Sequence, residues 1–254
     1  MTRAGAFLLL LAAAPLATGA AKPKLVPDVS ENKIEIQYSF TGAELLLFGA
    51  ILYPGGRVPT ERADIVVVVK GPLQPLVVRE KQKVAGIWMN VDSARFRSAP
   101  SFYAVASSRP LSQLVDERAA AIYELGLQNL QLSPGPGQSA DVQRRFEAGF
   151  VDLMQRHALY VEDPQGVQIA DGVLYRARVF IPARVPVGNY TAETFLIKDK
   201  RVIAGAVRDI RIEKKGFERF IAKAAVRWSL AYGLVAVGLS LLFGWAAAAL
   251  FRRG

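Results

Sequence analysis

The sequence predicts a mainly β protein: an Ig-like β-sandwich of one or two lobes, an inserted helical pair, and one C-terminal transmembrane helix. Three observations predict it. Short runs rich in Val, Ile, Phe and Tyr, punctuated by Gly and Pro, fill residues 33–108 and return from residue 159. Between them, residues 109–158 change to a helical period. Near the end stand 24 residues without a charge, from Trp228 to Phe251.

The chain starts with MTRAGAFLLLLAAAPLATGA: an early Arg3, a short apolar stretch, then small residues up to Ala21. That order is the pattern of a secretory signal, so residues 1–21 are expected to direct export. Residues 22–108 are the first strand-rich part. KIEIQYSF alternates, with Ile34, Ile36, Tyr38 and Phe40 on one face.

Leu45 to Tyr53 is nine residues without a charge, bounded by Glu44 and by Pro54-Gly55-Gly56. As a helix it would cover only ~14 Å, too short for a bilayer core of ~30 Å. A strand buried on both faces is the expectation. ADIVVVVKGP is a β-branched run stopped by Gly71-Pro72, and PLVVREKQ, VAGIWMNV and SFYAVASS are expected as further strands.

Residues 109–158 form the helical insertion. Pro110 is placed to open one helix, with Leu111, Leu114, Val115, Ile122 and Leu125 on its apolar face. After the loop SPGPGQS, Ser139 is a plausible N-cap for a second, with Val142, Phe146, Phe150, Leu153 and Met154 inward. Strands resume over 159–213, either completing the first sandwich or forming a second. LYVED, GVQIADG, VLYRARVFIP, GNYTAETFLIKD and RVIAGAVRDIRIEK supply them.

Residues 214–227 are expected as a basic juxtamembrane helix, carrying Lys214, Lys215, Arg219, Lys223 and Arg227 against Glu218 alone. The span follows over 228–251, long enough to cross with some tilt, and 252–254 form a tail holding Arg252 and Arg253. Along the span Ser229, Gly233, Ala236, Ser240, Gly244 and Ala248 recur every three or four residues, a smooth face of the kind that lets membrane helices approach closely.

Composition narrows the chemistry. With no cysteine, the chain has no disulfide, thiolate metal site or cysteine nucleophile. One histidine, His157, leaves no multi-histidine metal centre. The net charge of +10 gathers at the membrane flanks while residues 22–213 are close to balance, so no nucleic-acid groove is indicated. Glu147, Asp152 and His157, spaced five apart, turn away from one another on a helix. No G-x-S-x-G and no phosphate-loop Lys-Ser/Thr is present. Catalytic, cofactor and metal residues are therefore expected to be none. Arg95-Phe96-Arg97 with Phe102 and Tyr103 is the candidate interaction set, since arginine and aromatics are enriched in interface cores.

The blocks IEIQYSFTGAELLLFGAILYPGGRVPTERADIVVVVKGP, RFRSAPSFYAVASSRPL and PVGNYTAETFLI resemble the putative transmembrane protein family of alphaproteobacteria, from about Lys24 to the C-terminus. The resemblance implies a signal segment, an extracytoplasmic region and one C-terminal span, and it supplies no reaction. It also suggests sulfite-exporter-like permeases as neighbours.

The expectation is a single-pass protein of the bacterial inner membrane, its N-terminal bulk in the periplasm and its C-terminus in the cytoplasm. Its role is that of a non-catalytic accessory or interaction subunit of an envelope complex. Its partners would be the lipid bilayer and an integral membrane protein, such as a permease, or a second copy. An envelope enzyme, such as a cell-wall hydrolase with carboxylates converging from different strands, is the alternative. A ligand-binding sensor is a third, weakened by a tail of three residues.

Overall fold

The computed structural model describes residues 22–36, 42–60, 63–136, 139–214 and 225–251. The expected signal segment, the end of KIEIQYSF, most of the juxtamembrane segment and the C-terminal tail lie outside the described residues.

Among the described residues, thirteen strands form three sheets. The first sheet contains β1 (Lys24–Val29), β3 (Gly42–Leu52), β11 (Leu174–Pro182) and β10 (Val167–Ala170), in that order and antiparallel throughout. The second runs β2 (Lys33–Ile36), β13 (Arg201–Lys214), β12 (Gly188–Lys198), β4 (Asp64–Lys70), β7 (Tyr103–Ser107), β9 (Tyr160–Asp163). Only its outermost pairs, β2–β13 and β7–β9, are parallel. Both sheets mix strands from before and after the helical segment, so the two strand-rich regions make one sandwich rather than two lobes.

The sandwich closes over inward residues of both sheets. Leu45, Leu47, Ile51, Val179 and Ile181 come from the first; Ile65, Val67, Val69, Leu196 and Ile210 come from the second. Gly49 sits where a Cβ would fall 2.4 Å from the Val26 carbonyl and 2.6 Å from the Tyr175 hydroxyl. The lone glycine in the apolar run is thus what admits the Tyr175 ring.

β3 corrects one expectation. It is a strand, but Leu45, Leu47 and Ile51 alone reach the core, while Phe48 is 40% and Leu52 51% exposed. It belongs to the outer sheet, whose far face no described element covers. β4 is the strand covered twice. Ile65, Val67 and Val69 face the sandwich core, and Val66 and Val68 face a second core under the helices.

That second core is roofed by α1 (Leu111–Leu114), α2 (Glu117–Ile122) and α3 (Ala140–Arg156). The expected first helix is broken in two. Val115 is extended, and the Asp116 side chain accepts from the Ala119 N–H at 2.6 Å, capping a new helix start. The break turns Ile122 outward, at 61% exposure. α3 begins at Ser139, whose hydroxyl accepts from Val142 N–H at 3.4 Å. Phe146, Phe150 and Met154 are buried as the period requires, while Leu153 falls on the solvent side.

The third sheet is a long hairpin, β5 (Leu73–Val84) with β6 (Ile87–Pro100), joined along part of β6 by β8 (Ser133–Pro134). VAGIWMNV is therefore not one strand but the hairpin turn and its flanks. Ala85 and Gly86 both take positive φ, 49° and 86°, as a tight two-residue hairpin turn demands. The final helix, α4 (Ser229–Phe251), is apolar on every side, and none of its candidate spanning window is buried against the rest of the chain.

Candidate interaction surfaces

The expected interaction set does not form a surface. Phe96, Phe102 and Tyr103 are all core residues, at most 1% exposed. Alternation along β6 sends Phe96 inward and leaves Arg95 and Arg97 outside, where Arg97 Nε donates to the Pro134 carbonyl at 3.1 Å. The Arg-Phe-Arg pattern is that of a strand with one buried side.

These aromatics instead tie the hairpin to the sandwich. Phe96 stacks on Phe150 at 5.7 Å, Phe150 meets Tyr160 edge-on at 5.7 Å, and Tyr160 meets Tyr103 at 6.1 Å. Each polar end is satisfied: Tyr160 donates to the Pro100 carbonyl at 2.7 Å, and Tyr103 donates to the Glu124 carbonyl at 2.6 Å while accepting from Gly126 N–H. Burial pushes both phenols well above their ordinary pKa; at Tyr103 the Gly126 N–H opposes the rise.

One polar cleft of about 890 Å³ opens between the sheets, lined in part by Tyr53, Pro59, Asp64, Ser108, Arg109 and Asp171. The Asp64 carboxylate accepts from Ser108 Oγ at 2.8 Å and from the Arg109 guanidinium through both oxygens. Ser108 Oγ also accepts from Ile65 N–H at 3.3 Å. This is a clasp that fastens the end of β7 to the start of β4. The serine donates to a carboxylate already paired with a cation, so it is not an activated nucleophile. The histidine is engaged elsewhere: the Arg184 guanidinium lies 2.8 Å from His157 Nδ1.

On the helical side, Lys70 Nζ bridges Glu124 at 3.0 Å and Glu193 at 3.3 Å, locking the loop after α2 onto β4 and β12. Among the described residues no group of three or more His, Asp or Glu is gathered as a metal set.

Two further surfaces, besides the outer face of the first sheet, are left open by the described residues. One is α4, where Ser229, Gly233, Ala236, Ser240, Gly244 and Ala248 all lie exposed and Ser240 Oγ donates to the Ala236 carbonyl of its own helix. The other is the tip of the β5–β6 hairpin, residues 81–91, exposed at every position. Sequence reasoning passed over this tip because it assigned the segment to an ordinary strand. The signal was present in Ile-Trp-Met beside two lysines.

Comparison with curated proteins finds no match. A family model described as "Putative transmembrane protein (Alph_Pro_TM)" matches residues 24–253, which takes in the sandwich, the helical layer and α4 together. The chain belongs to that transmembrane family.

Proposed function

We propose that this is a membrane-tethered accessory subunit, its β-sandwich outside the cytoplasm and its C-terminal helix docking with an integral membrane partner. The observation that carries this reading is α4: 23 residues, apolar on all sides, with no face of its spanning window buried by the described residues. Ser229, Gly233, Ala236, Ser240, Gly244 and Ala248 give it a small-residue stripe suited to close helix approach. The non-catalytic part of the proposal is supported by the clasp around Asp64 and Ser108, whose donors and acceptors are engaged within the fold. The reading places the protein in a bacterial inner membrane, exported by the N-terminal segment, with a permease of the sulfite-exporter kind as the partner class.

Two measurements test it. Protease added to spheroplasts should digest the sandwich and spare a small C-terminal fragment; full protection overturns the orientation. Replacing Gly233, Ser240 and Gly244 together by leucine keeps length and raises hydrophobicity. The variant should reach the membrane at normal levels and lose its co-purifying partner. Retention of every partner would leave α4 as a plain tether and defeat the docking role.

A further inference from the structure

The hairpin tip combines features that belong at a lipid–water boundary. Ile87 is 70% and Trp88 67% exposed, and Val84, Met89 and Val91 are open as well. Lys81 and Lys83 are the only charged residues between 81 and 91. Pairing puts Val84 opposite Ile87 and Gln82 opposite Met89 on one side, and Lys83 opposite Trp88 on the other. The tip is thus a wedge, with an aliphatic face and a cation-aromatic face.

The hairpin is fixed at its lower part and free beyond it. Phe96 and Ala94 pack on Phe146. Arg145 of α3 then bonds Glu80 at 3.1 Å and Asp92 at 2.8 Å, one carboxylate from each strand. Past that clamp the two acidic residues are spent. Five further residues, at ~3.3 Å each, carry the turn roughly 15 Å beyond it.

Where the hairpin is rooted matters. Its first residues follow Gly71-Pro72, and Pro72 packs on Gly188, where an added Cβ would fall 3.0 Å from its ring. Gly188 is paired with Ile212, two residues before β13 ends at Lys214. The hairpin therefore springs from the same end of the sandwich as the segment that leads to α4.

We propose that this tip seats in the headgroup layer of the membrane that α4 crosses, as a second point of attachment. Tryptophan favours that layer, and the two lysines favour anionic headgroups. Depth is limited by the backbone. A two-stranded hairpin has open edges whose N–H and C=O groups are not satisfied in hydrocarbon, so the tip reaches only the ~5–10 Å interfacial zone. Tip-to-tip pairing of two copies would bring four lysines together, which disfavours a self-interface. The inference rests on α4 being anchored in a bilayer, but not on the orientation or partner proposed above.

The test uses the full-length chain with Trp228→Phe and Trp245→Phe, leaving Trp88 as its sole tryptophan. It is reconstituted in nanodiscs of phosphatidylcholine, alone or mixed with phosphatidylglycerol, with nitroxide-labelled lipid. Co-elution with the disc reports α4 insertion separately from the tip. Trp88 emission should be blue-shifted and fall by about twofold with shallow labels, less with deep ones, as interfacial seating requires. Lys81→Glu with Lys83→Glu should weaken that quenching in the anionic discs, and Ile87→Ser with Met89→Ser should abolish it, both without moving the melting temperature. In discs that carry α4, emission quenched by aqueous acrylamide but not by lipid would overturn the proposal. So would a blue shift that lipid labels do not touch and that vanishes on dilution, which would assign the tip to a second copy. A blue shift that appears only when a membrane extract supplies protein would assign it to a protein partner and overturn the proposal equally.

Discussion

β3 and β4 are two apolar runs of the same chain, and they end in different surroundings. β4 presents Val66, Val67, Val68 and Val69 at 0% exposure, sealed by the sandwich on one side and by the helical layer on the other. β3 has Leu47 in the core and its neighbour Phe48 in the open. Nothing within either run sets this difference. β4 is central in a six-stranded sheet, and the segment that covers its second face, α1 to α2, arrives more than 40 residues later in the chain. Apolar content thus tells that a strand joins a core; the number of its covered faces is decided by the layers around it.

The comparison can be broken most forcefully at the sealed positions. Val66→Asp and Val67→Asp should each unfold the sandwich, as should Leu47→Asp on the covered face of β3, because an unpaired buried carboxylate costs several kcal/mol. Urea denaturation of the purified protein followed by circular dichroism reads this. A Val66→Asp variant with an unchanged midpoint would mean that the helical layer does not seal β4.

An intermediate effect comes from pH and separates the two layers. Burial raises Tyr190 and Tyr175 in the sandwich core and Tyr103 and Tyr160 in the helical layer; Tyr190 is pushed up to about 12, opposed by Ser101. A phenol whose folded pKa exceeds the unfolded ~10 favours the fold while neutral. That contribution is complete below pH 10 and is lost as pH rises from there through the folded values. The denaturation midpoint should therefore fall above pH 10, with tyrosinate absorbance appearing together with unfolding. Tyr190→Phe should shallow the fall through the sandwich core alone. A midpoint that holds level to pH 12 would contradict the burial of these rings.

The smallest effect is the sharpest on β3. Phe48→Asp, one residue from Leu47, should move stability by no more than about 0.5 kcal/mol, the range of ordinary surface changes. A loss as large as that of Leu47→Asp would reveal that the outer face of the first sheet is covered after all.

How much of this was legible in the sequence follows the range of each signal. The strands of the sandwich, the Ser139 cap and the length of α4 are carried by neighbouring residues, and they were readable. The break at Asp116 was hidden because Leu111 to Leu125 keeps a helical period straight through it. The hairpin turn was hidden because Ala-Gly lacks the Asn-Gly or Asp-Gly signal of such turns. Once that turn was missed, Trp88 became an interior strand residue and the exposed tip disappeared from view. The arginine–aromatic set failed for a related reason. Residues adjacent in sequence lie on opposite sides of a strand, so Phe96 cannot share a surface with Arg95 and Arg97.

The order of strands in the second sheet has a mechanical consequence. β13, the last described strand before α4, is held from Arg201 to Ile212 by β12 on one side and over Arg211 to Lys214 by β2 on the other. A load drawn along its axis at Lys214 must slide all those pairs at once, in shear, rather than unzip them singly. β2, the second strand of the chain, takes part of that load, so an early strand of the sandwich braces its last. The sheet is built to resist being pulled apart by its own anchor.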